Sequence, residues 1–135
     1  MADLTVTPAD VAPVEIVEQV TAPANEAINA GQPVRFDTTT GRLALANGTT
    51  AAEARAIGIA LNTVLTGEPL TAVRRGVIDV GDALDALAFD APVYVSDTDG
   101  TLGGADTDAT VDVIVGRVEP AFGNTTPDKV LRVAL

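Results

Sequence analysis

Residues 27–43, AINAGQPVRFDTTTGRL, align without a gap on residues 86–102, ALAFDAPVYVSDTDGTL, at an offset of 59. Identities fall on Ala27/Ala86, Pro33/Pro92, Val34/Val93, Thr39/Thr98, Gly41/Gly100 and Leu43/Leu102. At nearly the same offset, Ile57-Gly58-Ile59 matches Val115-Gly116-Arg117. Each half reads as an entering turn, a strand opened by proline, a polar turn closed by glycine, a hairpin return and a glycine-containing strand. Two like β-units, each with one apolar face, would pack on each other as a small barrel or sandwich. Hairpins in general share some of this pattern, but the common register over more than thirty residues favours a duplication.

The composition agrees. Of the 135 residues, 47% are hydrophobic but only 3% aromatic. The apolar residues are chiefly Val, Ala and Leu, and Thr is abundant; Val and Thr are β-branched and fit a pleated, half-buried surface. Strands are expected at 14–20, 33–37, 42–45, 57–61, 92–96, 111–118 and 129–135. A further long strand over 70–80 should carry a bulge or bend at Gly76. Pro33 and Pro92 open their strands, where a missing N–H does least harm. Thr50 with Glu53 forms a capping box that predicts a short helix over 50–56, and Asp82 could cap one helical turn before Phe89. The reading is an all-β chain: a compact β-barrel, tulip-like or sandwich domain over residues 14–135, from halves of about 14–80 and 81–135, with one or two short helices. Residues 1–13, with Pro8 and Pro13, read as an extended N-terminal arm, disordered alone or ordered on a partner.

Charge and missing residues narrow the function. Eight Lys+Arg against nineteen Asp+Glu give a net charge of −11, which repels phosphate backbones and anionic membranes, so neither nucleic acid nor membrane is an expected partner. There is no His, Cys or Trp, hence no conventional zinc site, thiolate nucleophile or imidazole base. Ser96 has no His to activate it, and Lys129 is too close to the C-terminus for a phosphate loop. Catalytic residues and cofactors are therefore expected to be absent; what residue type leaves open is a carboxylate pair of glycosidase kind, without the usual aromatic sugar platforms. The opening MADLTVTPADVAP carries acids and leads into no apolar run, so the expectation is a protein made in a cytoplasm and soluble there.

Several residues invite a closer reading. Asp97, Asp99, Asp106, Asp108 and Asp112 could attract Ca²⁺, yet Asp and Gly are also the ordinary residues of a tight turn. In the arm, Leu4, Thr5, Val6 and Val11 could add as a strand to an exposed sheet edge of a partner. Arg74-Arg75 is the one adjacent basic pair; it could pair with the chain's own acids or meet an acidic partner surface. Asn47-Gly-Thr49 and Asn124-Thr-Thr126 match the glycosylation triplet as accidents of a Thr-rich chain.

With these segments in order, the chain resembles the capsid cement, or head decoration, proteins of tailed bacteriophages. The resemblance rests on AINAGQPVRFDTTTGRL, then ARAIGIALNTVLTGEPLTAVRRGVIDVG (54–81), then GDALDALAFDAPVYVSDTDGTL continuing to VIVGRVEPA, across roughly residues 14–121. It implies a non-enzymatic structural protein on the outside of the expanded head, with the major capsid protein as partner and a homotrimer as the working form. It also implies a virion location after synthesis in the host bacterial cytoplasm, and carries over no catalytic residue. A head-fibre or adhesion-type binding module, Ca²⁺-dependent through the Asp97–Asp112 loop, is the alternative.

Overall fold

The computed structural model describes residues 3–121 and 129–135; the triplet at Asn124 lies outside them. Nine strands are present among the described residues: β1 (Val11–Pro23), β2 (Pro33–Phe36), β3 (Leu43–Leu45), β4 (Gly58–Ala60), β5 (Pro69–Val80), β6 (Pro92–Val95), β7 (Leu102–Gly103), β8 (Ile114–Pro120) and β9 (Lys129–Ala134). They form one antiparallel sheet in the order β3-β2-β4-β5-β9-β8-β6-β7, with β1 on β5. The sheet curls into a half-barrel.

The two repeats pair alike. Phe36 faces Leu43 across β2 and β3, and Val95 faces Leu102 across β6 and β7. Val34 faces Gly58 in β4, and Val93 faces Gly116 in β8. Even the turn chemistry repeats: the Thr39 N–H donates to Asp37 Oδ1 at 3.2 Å, and the Thr98 N–H donates to Ser96 Oγ at 3.1 Å. Gly41 and Gly100 close these turns at φ of +70° and +66°, a conformation that disfavours any residue with a Cβ. Ile28, Val34 and Leu43 are buried in one apolar cluster, and their counterparts Leu87, Val93 and Leu102 in the other.

Strand β5 joins the units. One edge pairs with β1 along almost its whole length. The other edge is divided: Ala72 and Val73 pair with β4, and Arg75 to Ile78 pair with β9. The first unit therefore runs β3-β2-β4-β5-β1 and the second β7-β6-β8-β9-β5. In each, the strand that leads into the unit lies beside the strand that leads out, and β5 has both roles.

The bend expected at Gly76 is there, at φ +148° inside a continuous β5. A Cβ at Gly76 would stand 2.2 Å from the Glu15 carbonyl oxygen. The register with β1 slips around it, leaving Val14 and Val17 unpaired on β1 and Arg74 unpaired on β5.

The helix expected over 50–56 is a correction. Its cap forms, with the Glu53 N–H on Thr50 Oγ1 at 3.3 Å and the Ala54 N–H on the Thr50 carbonyl at 3.0 Å. Only that single turn follows, because the Ile57 N–H must already reach the Val34 carbonyl beside β2, and one turn costs its nucleation without propagation. The remaining helical pieces are 3-10 turns at Pro8–Asp10, Gly81–Leu84 and Asp106–Asp108; Asp82 lies inside the second and does not cap it.

Asp37 accepts from the Thr39 N–H, the Thr40 hydroxyl and the Asn25 amide. The Thr39 amide first, then the Thr40 hydroxyl, hold its carboxyl below the ordinary 3.8. A depressed carboxylate stabilises the fold above its unfolded value and loses that contribution as pH falls through the folded value. The expected result is an NMR titration midpoint for Asp37 below 3.8; a midpoint at or above it would contradict the turn geometry.

Candidate functional site

The first candidate is the N-terminal segment. Leu4 and Val6 are half-buried against the larger core cluster, while Asp3, Thr5 and Thr7 are exposed, a strand-like alternation. Asp3 bridges to Gly103, and the Leu4 N–H donates to the Leu102 carbonyl at 2.9 Å, so the segment covers the outer edge of β7. With the Asn29–Gln32 turn of the first repeat and the Gly100–Leu102 turn of the second, it lines an open hollow of about 340 Å³. Gly31 makes room for it: a Cβ there would come within 2.5 Å of Val6 Cγ1 and 3.1 Å of Val11 Cγ2. Ser96, the one buried polar residue among the described residues, donates its hydroxyl to Asp3 Oδ1. The Pro8–Asp10 turn then leads into β1, which starts at Val11 opposite Val80. Val11 thus belongs to the sheet, three residues inside the stretch read as arm, whereas Leu4, Thr5 and Val6 form a strap held at few points.

The second candidate is β1 itself. Ala12 to Gln19 are eight consecutive exposed residues. Arg74 and Arg75 flank this ribbon. Arg74 Nη1 lies 3.6 Å from Glu18 Oε1, an exposed pair of small energetic weight. Arg75 is exposed and lines a hollow with Val17, Arg132 and Leu135. Sequence reasoning singled out the two arginines but not Val14, Ile16 and Val17, which read only as part of a strand over 14–20. Exposure of successive residues means that neither face of the ribbon is covered between Ala12 and Gln19.

Three acids of the Asp97–Asp112 loop already accept from nearby donors. Asp97 accepts from the Thr110 N–H and hydroxyl, both at 2.8 Å; Asp99 accepts from the Asn47 amide, and Asp108 from the Ala105 N–H. Among the described residues no group of three or more acids is placed to share one cation, and no helix is long and apolar enough to cross a membrane.

Comparison with known proteins adds one positive finding. No curated protein matches the chain. A family model described as phage cement protein matches residues 11–133, which takes in both repeats, the shared strand β5 and the exposed ribbon β1. The chain belongs to the phage cement protein family, whose role is structural.

Proposed function

We propose that the protein binds the outer surface of the expanded phage head as a homotrimer and holds neighbouring capsomers together, with the major capsid protein as its partner. The family match over residues 11–133 carries this reading. The physical features suit it. A single sheet through both repeats is a stiff body for a clamp, since every strand is tied to a neighbour on the same ladder. An acidic surface keeps a many-copy protein soluble before it is used. Symmetric assemblies recruit symmetric partners, and three arms acting together multiply modest contacts through effective concentration. The strap of Leu4, Thr5 and Val6 is the part we assign to the capsid lattice, because it can leave its seat without undoing a strand.

The experiment is co-sedimentation of purified protein with expanded and with unexpanded heads. Saturable recovery with expanded heads is the expected result. Protein that stays in the supernatant at micromolar concentration with both kinds of head would overturn the proposal.

A further inference from the structure

Three shallow hollows on the outer face of the sheet share one residue, Arg132 of β9. The first is lined by Val14 and Val77, the second by Val17 and Arg75, and the third by Ile114 and Arg117. Together they make one continuous face across β1, β5, β9 and β8. Its apolar members are unusually open for their size: Val17 is 67% exposed, Val14 53% and Ile114 43%. Beside them β1 offers a backbone edge that pairs with no strand among the described residues. The other two outer edges are covered, β3 by Ala24 and Asn25 and β7 by Asp3 and Leu4.

Charge decides what can lie there. The chain has nineteen acids and eight cations, so two copies repel over most of their surface. On this face, however, Arg75, Arg117 and Arg132 stand among Glu15, Asp90 and Glu119. Three of the eight cations are gathered where the exposed aliphatic groups are, and Glu119, then Glu15, raise the hold of Arg132 on its proton. Around a three-fold axis such a face can set the arginines of one copy against the acids of the next while its apolar centre is covered, and stable interfaces between identical chains are the more apolar kind. Pro13 and the register slips at Val14 and Val17 blunt the edge against indiscriminate strand pairing, so side chains and not the backbone ladder set the contact.

We infer that this face, centred on Val17 and Arg132, is where a second copy of the chain packs. The inference rests on the proposal that the protein works as an oligomer, and it names the surface that makes one. The test is the mass of the full chain by light scattering, for the wild type, Val14→Glu, Val17→Glu and a control, Leu65→Glu, at a loop position that is also 67% exposed. The expected result is an oligomer for wild type and control. The two β1 variants should dissociate at least tenfold more readily, with circular dichroism and melting unchanged for at least one of them. Wild-type protein that is monomeric at 100 µM overturns the inference, and so do β1 variants of oligomeric mass. Oligomeric protein that ignores expanded heads would instead overturn the capsid proposal and leave this surface standing.

Discussion

Replacing Gly116 by alanine is expected to destabilise the protein by about 3 kcal/mol, enough to lower its melting temperature by about 10 °C. Gly116 lies in β8, opposite Val93 of β6 on one side and Val133 of β9 on the other. A Cβ there would stand 2.0 Å from the Arg132 carbonyl oxygen and 3.2 Å from Leu131 Cδ1. The first of these is backbone inside a ladder and cannot swing away; the second is a fully buried side chain. The repeat supplies an internal comparison. Gly58 holds the equivalent place in β4, with the Val73 carbonyl oxygen at 2.8 Å from the same hypothetical atom, so Gly58→Ala should cost less than Gly116→Ala. Gly67 has φ +86° but nothing within 4 Å, and alanine there should cost only the backbone strain of about 1 kcal/mol. Thermal melts of the three variants should rank in that order. Equal melting of the Gly116 and Gly67 variants would show that the sheet yields where the geometry says it cannot.

Removal of residues 1–9 is expected to lower retention on expanded heads by at least tenfold while the β-body stays folded. Cutting before Val11 keeps the whole β1–β5 ladder. What is lost is the packing of Leu4 and Val6 and the Asp3 acceptor of Ser96. Leaving that buried hydroxyl short of one partner costs about 1–2 kcal/mol, a modest fraction of a domain's stability. Segments held by so few contacts open locally at low free energy, which is what an arm needs if it is to exchange its own β7 edge for a capsid edge. A truncated protein retained as well as wild type would remove the strap from the capsid contact and leave the body to make it.

The repeat was legible in the sequence because its signals are local. Asp37 and Ser96 reach donors two residues away, and Gly41 and Gly100 answer to the backbone of a single turn. The cap at Thr50 was local too, and it forms; its helix fails because Ile57 is claimed by β2, a demand made from outside the segment. The sharing of β5 was not legible. Which strand lies beside which depends on pairing between residues such as Arg75 and Ala134, and alternation within one strand says nothing about its neighbour. The same limit hid the candidate interface. VEIVEQV reads as a strand from its β-branched residues, but whether another element covers its faces is decided elsewhere in the chain, and here none covers Ala12 to Gln19. For the acidic loop the difficulty was different: composition counts carboxylates but not the donors that already occupy them.

A common strand also sets an order of manufacture. The first unit has all five of its strands, β1 to β5, by residue 80, so a chain leaving the ribosome can close it before the second repeat is translated. The second unit brings only four of its own and must borrow the fifth from a sheet that already exists. This is why the repeat spacing of 59 residues is shorter than the unit it copies, by about the length of one strand. A polypeptide of residues 1–80 thus contains a complete unit, whereas residues 81–135 do not; the second repeat is an extension that can be laid down only on the first.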